Sequence, residues 1–391
     1  MEPNGDVAKG VWSQDGVTSA MDFKRVTDVV GDAPNPPRRP QTPVPPFRYE
    51  IENVTFKNAK DKVTLAGTLT KPSLPEMKED EPVLSPKYPA VVLISGSGPQ
   101  DRDETLVDHK PFLVIADYLT KRGFAVLRYD DRGVAGSTGD FTTATSADFA
   151  NDVRAAVRFL RQRDDIDLSK IGLIGHSEGG LIAPMVAAED SRIAFIALLA
   201  GPGVSGFEIL KDQGRRIPMA EGDSPEAVEA NSQLAEAVTS AVRDASDGSD
   251  LGSVIDRAVD SWVSSLPFEQ QATARPSDEA VEMLKQQIGT PWFQFFLKHD
   301  PATVLKRVEC PVLAVNGETD LQVWHEQNLP AIVAALKSGG NNQFRAVRLP
   351  GLNHLFQRSE TGKVSEYGEI ELTIANECLD LVGDWIHKLT K

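Results

Sequence analysis

Gly175-His176-Ser177-Glu178-Gly179 decides how this chain is read. An apolar run, Ile171-Gly172-Leu173-Ile174, leads into it, and a helical run, Gly180 to Ala188, leads out. A strand, a tight turn and a helix in that order are the context in which G-x-S-x-G holds a nucleophile on a strained turn. The turn crowds the backbone around its central residue, and glycines two positions either side, Gly175 and Gly179, relieve the crowding. Ser177 is therefore the candidate nucleophile. The plainer alternative is a strand-to-helix turn that only favours small residues.

Working outward, short apolar runs alternate with helical periods. Tyr49–Phe56 and Val63–Leu69 read as a hairpin. Further strands are expected at Ala90–Ile94, Ala125–Tyr129, Ile171–Ile174, Phe195–Leu199, Pro311–Val315 and Phe344–Leu349. Helices are expected at Pro111–Lys121, Ser146–Arg161, Gly180–Ala188, Glu326–Leu336 and from about Ile370 to Leu389. Strands alternating with helices predict an α/β fold: a mostly parallel central sheet covered by helices on both faces, with an antiparallel edge.

Residues 204–300 break the alternation. They read as polar helices, among them Ser224–Arg243, Val254–Ser265 and Ser277–Ile288, and carry 17 acids against 8 bases. The stretch is too long for a loop, so it is expected to be a helical lid inserted into a core formed by 49–203 and 301–391. It ends in an aromatic run, Pro291-Trp292-Phe293-Gln294-Phe295-Phe296-Leu297. That run packs lid against body or walls a substrate pocket, and one cluster can do both. Residues 1–48 read as a Pro-rich arm, and 71–88 as a Pro- and Glu-rich loop.

The net charge of −16 argues against nucleic acid or an anionic lipid surface as partner. No apolar run is long enough to cross a membrane. Residues 1–25 lack the pattern of a signal peptide, which leaves a cytosolic protein or a mature exported form. Cys310 and Cys378 have no metal-ligand spacing; two buried thiols are expected, a disulfide being the alternative. The six histidines do not cluster at ligand spacing, which argues against a catalytic metal.

A serine hydroxyl becomes nucleophilic when a neutral imidazole takes its proton and a carboxylate orients that imidazole. In this architecture the order is serine, acid, histidine, the last two on loops after late strands. Asp320 lies just past Pro311–Val315, and His354 just past Phe344–Leu349. Glu318 is the rival acid. His325 is a surface residue or a minor site residue, and His176 points away from the serine and packs. Oxyanion donors are expected from the Glu178 N–H and from the loop Ser95-Gly96-Ser97-Gly98, with Ser97 N–H ahead of Gly98. Gly98, Trp292 and Phe295 are the candidate substrate-binding residues. Gly201-Pro202-Gly203-Val204-Ser205-Gly206 matches a dinucleotide fingerprint, but no strand follows, so cofactor binding is not expected. The charged run Arg128–Gly133 is expected to brace the loop beside the site, and His109 to tie that loop to the body.

Together these residues resemble the α/β-hydrolases, and more narrowly a bacterial serine-esterase group. The resemblance rests on Gly96–Asp103, Arg128–Gly139, Gly175–Gly179, Pro291-Trp292-Phe293, Asn316–Val323 and Gly351–Gln357, and covers residues 48–390. It implies a Ser177–Asp320–His354 triad, hydrolysis of a small-molecule carboxylic ester and no cofactor. Related members are often exported. Two residues depart from the pattern: Ser95 stands where many α/β-hydrolases have histidine, and Trp324 where the group more often has proline. A thioesterase or oligopeptidase with the same triad, and a non-catalytic ligand-binding protein of this fold, are the competing expectations. The resemblance leaves oligomeric state and the first 48 residues unexplained.

Overall fold

The computed structural model describes residues 7–14, 17–24, 37–73 and 86–391. Residues 1–38 and 39–391 are separate compact units. In the first, β1 (Val7–Gln14) pairs antiparallel with β2 (Val17–Lys24). Both strands fall within residues 1–48, which the sequence leads one to expect as a Pro-rich arm.

The second unit is built on an eight-stranded sheet. Its strands are β3 (Tyr49–Asn58), β4 (Val63–Pro72), β5 (Tyr88–Ile94), β6 (Ala125–Tyr129), β7 (Ile166–His176), β8 (Ile196–Leu199), β9 (Val312–Gly317) and β10 (Phe344–Leu349). The spatial order is β10-β9-β8-β7-β5-β6-β4-β3. From β10 to β6 neighbours run parallel, while β3 and β4 form the antiparallel edge. Every residue of β6, β8 and β9 is buried. Parallel strands covered on both faces read as continuous apolar runs for that reason.

Helices α1 (Pro111–Lys121) and α12 (Asn376–Thr390) pack on one face of the sheet. The other face takes α2 (Ser146–Arg161), α3 (Glu178–Ala187) and α11 (His325–Ser338). Helix α2 starts with a reciprocal cap: Thr145 at the N-cap and Asp148 three residues on satisfy each other's backbone.

Between β8 and β9 the chain leaves the sheet for six helices: α4 (Gly206–Glu221), α5 (Pro225–Asp244), α6 (Leu251–Ser265), α7 (Phe268–Ala274), α8 (Asp278–Ile288) and α9 (Pro291–Lys298). A short α10 (Pro301–Leu305) returns the chain to β9. These helices bury an apolar cluster of their own, which includes Val242, Ile255, Val259 and Leu297. Trp292 packs against both this cluster and the cluster under α2 and α3. The run Gly201–Gly206 opens α4 rather than a βαβ crossover. A Cβ on Gly203 would sit 2.3 Å from the Asn328 carbonyl oxygen, and one on Gly206 2.4 Å from the Phe296 ring. Its glycines serve close packing.

Helix α12 starts at Asn376, six residues later than expected. Residues 368–374 instead receive the end of the arm. Arg39 donates to the carbonyls of Gly368, Ile370 and Val107, at 2.7, 3.2 and 3.0 Å. Gln41 both donates to the Ile374 carbonyl and accepts its N–H, at 2.7 and 2.8 Å. Backbone groups held this way cannot join a helix ladder. Both cysteines are free thiols, Cys378 on the buried face of α12.

Candidate active site

Ser177 sits between β7 and α3 at φ 51° and ψ −117°, a conformation costly for a residue with a side chain. Its N–H donates to the Leu199 carbonyl and its carbonyl accepts from Gly180, both at 2.8 Å. The neighbours have no room for anything larger than hydrogen. A Cβ on Gly175 would lie 2.0 Å from the Gly179 carbonyl oxygen, and one on Gly179 2.1 Å from that of Ile94. Close approach of α3 to the ends of β5 and β7 is therefore what the glycines supply.

Two later loops bring the acid and the imidazole together. His354 Nδ1 lies 3.0 Å from Asp320 Oδ2, with the Asp320 side chain fully buried. The other oxygen, Asp320 Oδ1, accepts the N–H groups of Gln322 and Val323 at 2.8 and 2.9 Å. Those donors fix the carboxylate so that one edge faces the ring. Glu318, the rival acid, turns away to the Gly351 N–H at 3.1 Å and to Arg348 at 2.9 Å. The His354 loop is pinned by buried Asn353, whose Oδ1 accepts from Leu355 and Gln357 at 3.1 and 2.9 Å. Gln357 in turn meets His109 at 2.9 Å. His109 also meets Thr373 Oγ1 at 2.9 Å and the Tyr367 carbonyl at 3.0 Å. It thus ties the loop before α1 to the segment after His354, and burial keeps its pKa low.

The loop after β5 runs past the serine: a Cβ on Gly96 would lie 3.2 Å from Ser177 Cβ. Ser95, in the place of the more usual histidine, donates to Asp131 Oδ1 at 2.9 Å, and Gln100 N–H donates to Asp131 Oδ2 at 3.1 Å. Burial pushes the Asp131 carboxyl well above the usual carboxylate range. Arg102 grips Asp130 with two donors at 2.9 and 2.6 Å, and Arg128 pairs with Asp103. The charged run after β6 braces this loop, as expected from the sequence. Gly98 lies in the same loop at φ 92°. Among the described residues, neither Ser97 N–H nor Glu178 N–H has an acceptor in the protein.

The side chain of Glu178 has a part that the sequence did not announce. It is buried beside the serine, and its Oε1 accepts from Ser146 Oγ at 2.5 Å and from Trp292 Nε1 at 2.8 Å. Burial pushes this carboxyl up to about 7. Trp292 also stacks on Phe296 with ring centroids 5.3 Å apart. Phe295 stacks on His299 with ring centroids 5.2 Å apart. At the other end of the inserted helices, Gln213 donates to the Gln322 carbonyl at 2.8 Å, and the Arg216 guanidinium lies 3.3 Å over the Trp324 ring. The insert thus touches the serine turn and the acid loop. His325, beside Trp324, is buried at the start of α11, and its pKa is lowered by burial.

A fourth contact set escaped the sequence reading. Glu104, at φ 53°, accepts the Gly96 N–H at 2.7 Å and lies 3.0 Å from His176 Nδ1. A lone acid in a charged loop looks in sequence like any solvated acid, so only the fold reveals it.

The X-Pro dipeptidyl-peptidase (S15) family pattern matches residues 61–351. Esterase EstD of Thermotoga maritima is 24% identical over 349 residues, covering 89% of this chain and 68% of that protein. Among solved structures, an esterase of Pyrococcus furiosus superimposes with a TM-score of 0.52 at 16% identity, over 91% of this chain and 98% of that one. A hypothetical protein of Pseudomonas aeruginosa also gives 0.52, at 17% identity, over 89% of this chain and 96% of its own. These likenesses and the sheet order establish the α/β-hydrolase fold.

Proposed function

The chain belongs to the X-Pro dipeptidyl-peptidase (S15) family, and from that premise we propose a serine hydrolase that cleaves small to medium carboxylic esters through an acyl-enzyme. The observation that carries the reading is the His354–Asp320 pair, 3.0 Å apart and buried, on the loops that follow β10 and β9. With a serine on a strained turn of the same sheet, it supplies nucleophile, base and orienting acid.

In this mechanism Ser177 Oγ attacks the ester carbonyl while His354 Nε2 takes its proton. Asp320 stays ionised, holds the Nδ1–H tautomer and stabilises the imidazolium. The Ser97 and Glu178 N–H groups hold the oxyanion, with Gly98 N–H as the alternative first donor. One such donor contributes about 3 kcal/mol of transition-state stabilisation. His354 then protonates the leaving alcohol, activates water, and the acid is released. The inserted helices act as a lid. Trp292 is their wall residue nearest the chemistry through its bond to Glu178, and Phe295 belongs to the same aromatic run.

The family favours a second reading, cleavage of an amide after an X-Pro dipeptide, while the name of the Thermotoga relative favours the ester. Matched 4-nitrophenyl esters, their thioesters and an X-Pro 4-nitroanilide decide between them. The ester reading expects turnover of the ester and none of the anilide. Turnover of the anilide at comparable kcat/KM would move the assignment to a peptidase.

A further inference from the structure

His176, inside the serine turn, faces an acceptor at each ring nitrogen. Nδ1 lies 3.0 Å from Glu104 Oε1, and Nε2 lies 3.1 Å from the His354 carbonyl oxygen. A carbonyl oxygen only accepts. Glu104 Oε1 also accepts the Gly96 N–H at 2.7 Å, and as a carboxylate oxygen it carries no hydrogen to give the ring. A neutral imidazole has one N–H and cannot satisfy both contacts. Gly96 is the meeting point: a Cβ there would lie 3.2 Å from Ser177 Cβ, 3.3 Å from Glu104 Oε1 and 3.6 Å from His176 Nδ1.

We propose that His176 is a positioning residue that works as a buried imidazolium, paired with Glu104 and clamping the oxyanion loop, the serine turn and the His354 loop together. This deepens the hydrolase reading and rests on it for its effect on rate. The groups that face His176 are Glu104 on the loop after β5, Asp320 on the loop after β9, and the His354 ring, 4.9 Å away between centroids. The two carboxylates favour the cation. The His354 ring, once protonated in catalysis, disfavours it. Burial is the largest single influence and lowers the His176 pKa, but Glu104, the His354 carbonyl and Asp320 together outweigh it and the net direction is upward from 6.5.

A raised pKa in a histidine means the clamp is complete below the ordinary value and is lost as pH rises through the folded value. The step is loss of one proton from the His176 ring to solvent, which leaves one of the two ring contacts without a hydrogen. Activity therefore falls on the alkaline side as the loops loosen. With Glu104→Gln the charge that retains the proton is gone, and that alkaline limb moves down by about 1–3 pH units. The kcat should fall by about 10-fold or more, with little change in KM, since the clamp holds machinery rather than substrate.

The test is nitrogen–proton correlation of the imidazoles in the full chain labelled with 15N-histidine, followed from about pH 6 to about pH 9. One histidine is expected to keep both ring nitrogens protonated above its ordinary range, and to lose that signature in Glu104→Gln. His176→Gln should delete the signal. If that variant does not fold, Glu104→Gln and the wild type still decide. Singly protonated rings for every histidine at about pH 7.5 overturn the proposal, as does an alkaline limb unmoved in Glu104→Gln. Fluorophosphonate labelling of the same samples separates the two claims. A doubly protonated ring in a protein that never labels keeps the clamp and removes the hydrolase.

Discussion

At the residue scale, Asp320 gives the sharpest expectation. Its Oδ1 is committed to two backbone N–H groups, so in Asp320→Asn the amide must place its oxygen there. The amide NH2 then faces His354 Nδ1 and forces the hydrogen onto Nε2, the atom that must accept the serine proton. We expect kcat to fall by about 10⁴-fold with the fold intact, the size of the same change in a serine-protease triad. Circular dichroism and steady-state kinetics on one preparation check it. Glu178 gives a pH-dependent stability. Its carboxyl moves from 4.5 to about 7 on burial, so its contribution is full below 4.5 and is lost as pH rises to about 7. The loss amounts to roughly 3 kcal/mol. Urea midpoints at about pH 5 and about pH 8 should converge in Glu178→Gln, which keeps an oxygen for Ser146 and Trp292. An unchanged pH dependence would count against a buried acid there.

At the element scale, the turn between β7 and α3 is set by packing rather than by propensity. Gly175→Ala drives a Cβ to within 2.0 Å of backbone that cannot move away. A loss of about 3 kcal/mol or more is expected, read as a fall in the urea midpoint together with loss of labelling at Ser177. The contact of α9 with the turn is milder. Trp292→Phe keeps the stack on Phe296 but removes the Nε1–H donor to Glu178. We expect a cost of about 1–2 kcal/mol and a rise in KM, because the insert is held less firmly against Glu178. The inner strands β5, β6, β8 and β9 were legible in sequence because burial on both faces leaves nearly unbroken apolar runs, and most helices because their apolar residues recur at helical spacing; β1 and β2 were not. The start of α12 was not, because periodicity continues through Ile374 while the backbone there is engaged by Gln41. Nothing local in residues 370–375 announces a partner more than 300 positions away.

At the scale of the whole molecule, charge and topology bear on substrate choice. The chain carries a net charge of −16, and residues 204–300 contribute 17 acids to 8 bases. A neutral ester is expected to outperform an otherwise matched anionic hemiester at low ionic strength. Added salt should narrow the gap, since screening shortens the reach of the acidic surface. A gap that does not respond to salt would place the discrimination in direct contacts instead. The same scale explains what the sequence could and could not show of the site. Asp320 and His354 were legible because late strands put them at carboxyl ends of a parallel sheet. Glu104, Asn353 and the Glu178 side chain were not, since each acts through a partner that only the folded chain brings near: His176, Gln357, and Trp292 with Ser146.

The most direct test of the account is covalent capture of the nucleophile. Wild type and Ser177→Ala are treated with a fluorophosphonate, and the modified peptide is mapped by mass spectrometry. The account predicts one adduct, on Ser177, lost in the variant together with turnover of 4-nitrophenyl esters. A folded wild type that takes no label and turns over no ester, or an adduct on another residue, would contradict it.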